Sequence, residues 1–420
     1  MASLRPLLRC AAALAACGSV LLVLLAPRLL HAQVAELSLG TTVFHEPSKV
    51  GSQMTVINPN ASLVVTPWEW ISVNAGYEAD IVSGASEPVK AGKLSSPDII
   101  SQASVEDFRH VATGGFTLRK KNTRLSAGYA YAQELDYRSH GFSVSTATDF
   151  LQKNTEIELS YARGFDKVCN AAFPESRDPS LRLPLDSSDG CFKNADNRQE
   201  QDIDINNFQA GWTQAWTPVL TTQVVGTFQL QHGFLGNPYR GVVIGPSGQI
   251  AQEHHPENRA RSAVAVRAKY FVRGIQTAFG LGVRGYKDTW DILGQTYQVD
   301  AERFMTPWLR VLLRGRYYQQ TGALFWSDDY TGGEPLFGPR GQYWSGDRET
   351  SPMRSFMFGG RVLGEWRGAP GNRLLGMMLN ASAAANLDVI QTELDDFTLA
   401  GLNPDDTFAI VFGLSFGGGF

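Results

Sequence analysis

What the chain lacks narrows the choices first. Past residue 32 it has no continuous apolar run of the ~20 residues that a membrane-crossing helix needs. No strong 3.6-residue hydrophobic period appears there either, which removes helical bundles and doubly wound α/β folds. Positive charge is in deficit: residues 1–32 hold three arginines and no acid, so the remainder carries 34 basic against 41 acidic groups. A nucleic-acid partner therefore has no electrostatic footprint. Cysteine is scarce at four in 420 residues, and Cys10 and Cys17 lie in the N-terminal segment. The remaining pair, Cys169 and Cys191, reads in an exported chain as one disulfide stapling a polar loop. His254-His255 and Asp328-Asp329 come without further ligands at telling spacing, so neither a metal site nor a cofactor is expected.

What is present begins with an export signal. Arg5 and Arg9 precede the apolar stretch Ala11 to Leu25, and Leu30-His31-Ala32 has the character of a cleavage site. We expect residues 1–32 to be a signal peptide and residues 33–420 to form one domain.

That domain is patterned with a period of two. Near the C-terminus Phe408, Ile410, Phe412, Leu414, Phe416 and Phe420 share one parity, and Ala409, Gly413, Ser415, Gly417 and Gly419 share the other. The same alternation puts Leu37, Leu39, Thr41 and Val43 on one face, and Ile157, Leu159, Tyr161 and Phe165 on another. With no helix to cover these faces, the pattern predicts an all-β, transmembrane, antiparallel up-and-down barrel whose apolar parity meets lipid. A chain ending on an aromatic residue of that face resembles bacterial outer-membrane barrels, whose terminal strand closes the sheet and is read by the assembly machinery, so Phe412, Leu414, Phe416 and Phe420 are the expected assembly signal.

Proline and tryptophan punctuate the strands at Thr66-Pro67-Trp68, Trp216-Thr217-Pro218 and Thr306-Pro307-Trp308. Further short turns are expected at Lys120 to Thr123, Gln152 to Thr155, Val272 to Gly274 and Gly368 to Asn372. Between these seven lie eight connections, long and polar at about 81–106, 167–201, 232–258, 320–352 and 389–404 and shorter near 45–52, 136–140 and 287–290. Short periplasmic turns alternating with long extracellular loops imply sixteen strands. Fourteen is the alternative count, because 106–118 and 138–150 alternate less cleanly.

The stretch Tyr77-Glu78-Ala79-Asp80-Ile81-Val82-Ser83-Gly84-Ala85-Ser86 is similar to the Tyr-x-x-Asp-x-x-Ser-Gly-Ala-Ser pattern of the domain of unknown function 3570 family. Here Glu87 separates Ser86 from Pro88, where the family pattern has proline directly after the serine. The resemblance implies a signal-bearing bacterial outer-membrane barrel of about this length. It implies no established reaction.

A barrel of sixteen strands encloses water rather than a packed core, so its inward charges carry the functional reading. Parity places Glu78, Glu134, Glu156 and Glu158 on the early wall, and Arg261, Arg267, Lys269, Arg284, Arg310, Arg314, Arg316 and Arg361 on the late wall. Arg109, Asp300 and Glu365 break the segregation, and mutual pairing of lumen charges is the competing reading. The expected function is a porin-like channel or transporter for a small polar solute, set among outer-membrane lipid and lipopolysaccharide. The alternative is a non-conducting partner or export component for a periplasmic protein, which the family's usual company implies to be a redox protein.

No enzyme is expected. Gly413-Leu414-Ser415-Phe416-Gly417 matches a serine-hydrolase pattern but sits inside a strand, where the sharp strand-to-helix turn cannot form. Gly280-Leu281-Gly282-Val283-Arg284-Gly285 matches a dinucleotide fingerprint but continues a strand, so its glycines read as room-makers on a curved wall. His110 alone among the histidines falls well within a strand, too little for a catalytic triad.

Overall fold

The computed structural model describes residues 34–47, 54–83, 99–101, 107–188, 190–193, 197–328, 330, 342–368, 374, 378–394 and 407–420. The expected signal peptide, Gly84-Ala85-Ser86, Asp329 and most of the turn at 368–372 lie outside these residues. The first strands are β1 (Val34–Glu46), β2 (Met54–Trp68), β3 (Ile71–Ser83), β4 (Ile99–Ser101), β5 (Asp107–Lys120), β6 (Thr123–Gln133), β7 (Tyr137–Phe150), β8 (Thr155–Ala171) and β9 (Arg198–Thr217). They are followed by β10 (Leu220–Gly233), β11 (Arg240–Ile244), β12 (Gln249–Gln252), β13 (Asn258–Val272), β14 (Thr277–Asp288) and β15 (Leu293–Thr306). The last four are β16 (Leu309–Gln320), β17 (Met353–Arg367), β18 (Asn380–Leu394) and β19 (Thr407–Gly419).

Sixteen of these strands close one antiparallel barrel, and β12, β11 and β4 form a separate small sheet. Both segments that alternate poorly in sequence are wall strands, β5 and β7, so the sixteen-strand count holds over fourteen. Closure joins the two ends of the chain: β1 pairs with β19 from Glu36↔Gly419 to His45↔Ile410. Gly413, Ser415 and Gly417 then share a face with Thr42, Gly40 and Ser38, while Phe412 and Phe416 share the opposite face with Val43 and Leu39.

The outer surface is the apolar one. Phe358 is 78% exposed, Leu313 63% and Phe416 57%, values no water-facing monomer tolerates over a whole wall. Stacked Trp68–Trp70 and Trp308–Trp366 ring the short-turn end, the position of an interfacial aromatic girdle. The three proline-tryptophan turns each coincide with a register shift, between Val65 and Trp68, Leu220 and Thr221, and Phe304 and Thr306. Proline donates no ladder hydrogen bond, so the ladder slips there.

At 17 and 20 residues β8 and β9 are the longest strands. Toward their loop ends the outer face turns charged, with ion pairs Arg163–Asp204 (3.3 Å) and Lys167–Glu200 (2.7 Å). This change marks where the wall leaves the apolar band.

Candidate functional site

Strand register carries the expected charges to one side of the sheet, opposite the apolar parity. On the early wall Glu78 and Asp80 both accept from Asn58 Nδ2, at 2.8 and 2.7 Å. Arg109 bridges Asp80 and Glu134 at 3.4 Å each. Arg124 pairs with Glu156 at 2.5 Å and with Asp149 at 3.8 Å, and Glu158 lies in the row of Ala147 beside it.

The late wall supplies its own acids, which corrects the expected segregation of sign. Arg267 meets Asp300 at 2.6 Å, and Lys269 meets Glu302 at 2.8 Å. Arg310 is held by Glu365 (2.6 Å) and Glu302 (3.4 Å), and Arg314 donates twice to Asp388. Arg310 and Arg314 are therefore wall struts.

Two of these pairs reach over a glycine on the strand between the partners. Gly359 lies in one row with Arg314 and Asp388, and a Cβ there would sit 2.7 Å from the Asp388 Cγ. Gly280 faces Asp300 in the same way, with a Cβ falling 2.6 Å from its Cγ, and the carboxylate crosses to Arg267. Of the glycines in the dinucleotide-like run, Gly280 is thus room for a carboxylate, whereas Gly285 has open space around it.

Arg284, Arg316 and Arg361 are exposed on this inner face, and none reaches a carboxylate within ion-pair distance among the described residues. Arg261 is held by a neutral amide, donating to Gln229 Oε1 at 3.3 Å. Exposed inward side chains mean that the lumen is not packed shut, as the width of a sixteen-stranded barrel requires.

Over the long-loop end sits a cap that sequence patterning does not show. The hairpin β11–β12, inserted between β10 and β13, pairs with β4 from the connection after β3, six strands away around the rim. The connection after β16 joins it through bridges Ile244↔Tyr330 and His254↔Trp344. Val242, Ile244, Ala251, Tyr330 and Trp344 form its core, and the Trp344 indole donates to the Gln252 carbonyl at 2.8 Å. Arg348 ties this connection back to Glu46 at the end of β1 with bonds of 3.0 and 3.2 Å.

Cys169, at the end of β8, is bonded to Cys191 with Cα atoms 5.7 Å apart, and both pack on Leu185. Asn170 beside it exchanges side-chain hydrogen bonds of 2.9 and 3.1 Å with Gln252 of the hairpin.

Inside the cap lies a buried ionisable cluster. Glu253 accepts from Ser345 Oγ and the Gly346 N–H at 3.1 Å each, near the Arg240–Asp347 pair. His255 Nε2 stands 3.7 Å from Glu253 Oε2, its ring packed on Trp290 and Phe325. Burial pushes the Glu253 carboxyl up to about 8 and the His255 imidazole down to about 4. His254, its neighbour in sequence, instead hydrogen-bonds the Gln342 carbonyl at 2.7 Å. Among the described residues no group of three His, Cys, Asp or Glu could hold a metal ion.

The remaining motifs fall apart in three dimensions. Ser415 sits between Gly40 and Ala384, and His45 of β1 is on the opposite parity, in register with Ile410. His110 faces outward with Tyr77, whose hydroxyl lies 2.6 Å from its Nδ1. Sequence reading missed Arg124, Glu302 and the pairing role of Asp388. All three share the parity of the residues it named, and that parity was the signal available.

Solved structures similar in fold include a bacterial polysaccharide outer membrane secretin (TM-score 0.46, 11% identity, 91% of this chain and 97% of that one). The outer membrane protein opdK of Pseudomonas aeruginosa is similar at TM-score 0.41 and 7% identity, over 92% and 98% of the two chains. The siderophore receptor PirA of Acinetobacter baumannii gives 0.43 and 8%, and this chain, matched over 86% of its own length, spans only 53% of the receptor's. No curated protein matches the chain in sequence. The family profile for protein of unknown function DUF3570 matches residues 8–359, from the N-terminal segment into β17, and the chain belongs to that family.

Proposed function

We propose that this protein is a bacterial outer-membrane channel that passes small polar solutes through its lumen. The observation that carries the reading is the exposure of Glu78, Arg284, Arg316 and Arg361 on the inner face of a closed sixteen-stranded wall. Charges so placed need water beside them, since an unpaired charge in a packed interior is expensive. The apolar outer face and its tryptophan girdle support insertion in lipid, with lipopolysaccharide as the outer-leaflet neighbour. The assembly machinery would read Phe412, Leu414, Phe416 and Phe420 on the closing strand. The reading assigns the protein no catalytic step.

The cap favours a second reading, a barrel that does not conduct alone and serves as partner or export component for a periplasmic protein. Its contacts draw segments from separate arcs of the rim across the mouth. Purified wild-type protein in planar bilayers separates the two. Discrete current steps are expected, and a folded barrel that carries no current would leave the partner reading in place.

A further inference from the structure

Resting on the reading of the lumen as a solute path, we propose that the inner wall of β8 to β16 holds a binding site for a small hydroxylated organic anion. Its carboxylate or phosphate group would be taken by Arg261, Arg284 and Arg316.

The argument starts from which guanidiniums are already used. Arg259, Arg267, Arg310 and Arg314 each face a carboxylate at 2.6 Å or less, so their charge is spent on the wall. Arg261 has Asp288 opposite it in register, but that carboxylate already accepts from Arg259 twice, from the Tyr286 hydroxyl and from the Trp290 and Ile292 backbone N–H groups. Arg261 turns to Gln229, whose Nε2 donates to Asn207 Oδ1 at 2.6 Å, which fixes the amide with its oxygen toward the guanidinium. Its Nε finds no partner. Among the described residues Arg284 on β14 has only the face of Tyr286, 5.6 Å from the ring centroid. Arg316 lies one inward row below: Arg284 is level with Thr296 and Tyr318, and Arg316 with Gln298.

The three cations therefore stand on β13, β14 and β16, and among the described residues no carboxylate comes within ion-pair distance of any of them. Guanidinium forks match carboxylate and phosphate geometry. Arg261 and Arg284 border a recess of about 370 Å³. Its other inward walls are Ser160, Asn207, Gln209, Thr227 and Gln229, a set of amides and hydroxyls suited to a polyol body. A recess of this size takes a small solute and excludes a polymer.

The test uses ligand-observed NMR on the detergent-solubilised full-length barrel, a readout independent of whether the protein conducts. The probes are gluconate, glucose 6-phosphate, glucose and glucosamine, the first two distinguishing a carboxylate from a phosphate. At least one of the anions should bind at least about tenfold more tightly than glucose or glucosamine. Arg284→Gln with Arg316→Gln should abolish that preference, while Arg361→Gln, at an exposed arginine level with Leu312 and two inward rows below Arg316, should preserve it. Equal binding of anions and neutral sugar, no binding of any probe, or an unchanged preference in the double variant would overturn the site. If the wild type binds the anion but passes no current in bilayers, the site stands and the channel reading falls.

Discussion

Phe358 on the wall is 78% exposed and Trp344 in the cap is 2% exposed, although both belong to β-rich segments of one chain. Along the wall the apolar parity points outward and the charges point in, whereas the cap gathers Val242, Ile244, Tyr330 and Trp344 inward as a water-surrounded fold must. The difference teaches that a strand's parity is neutral until the solvent on each side is specified. It also means that the cap has a core of its own, which predicts that it loosens while the barrel stays closed.

The largest effect should come from placing a charge on the wrong side of the wall. Val299 is 55% exposed on the outer parity of β15, and Gln298 beside it shares the inner row with Arg316. Val299→Arg should cost about 2–4 kcal/mol in lipid and deplete the heat-modifiable folded form on gels. Gln298→Arg should leave the folded yield near wild type. Equal yields would mean that the faces are misassigned.

Next in its effect on the folded barrel is the cap core. Trp344→Ala removes a buried indole and its bond to Gln252, a loss of about 3–5 kcal/mol on general grounds. The expected result is faster proteolysis between β10 and β13 and a larger mean current, with gel heat-modifiability retained. Loss of the folded barrel in this variant would show wall and cap to be one cooperative unit.

The smallest effect is a pH dependence of cap closure. His255 is pushed below its ordinary 6.5 in the closed cap, so opening takes up a proton and closure weakens as pH falls from 6.5 toward about 4. Glu253 is pushed above its ordinary 4.5, so opening releases a proton and closure weakens as pH rises from 4.5 through about 8. Arg240 and Asp347, paired with each other, face both groups. Closure should be firmest between the two ordinary values. Glu253→Gln should remove the alkaline limb and His255→Phe the acid limb of protease sensitivity. A flat profile in wild type would mean that the cluster does not report on the cap.

Much of the wall was legible in the sequence because its determinants are local. Alternation along a strand, proline at a turn and an apolar closing strand each need only a few neighbouring residues, so sixteen strands and the inward parity of Arg284 or Glu158 follow without a structure. Which arginines remain unneutralised did not follow. Asp388 reaches Arg314 from 74 residues away, over Gly359 on the strand between, and only the register brings that row together.

The cap was hidden more completely, because its connections have no period to read. Its ties run between segments as distant as Glu46 and Arg348, 302 residues apart. By itself the sequence determined the barrel and the solvent on each side of its wall, since alternation is set residue by residue. Closure of loops over the mouth and the division of lumen charges into struts and unpaired cations were decided only by the tertiary structure, because both depend on which distant groups the closed sheet makes neighbours.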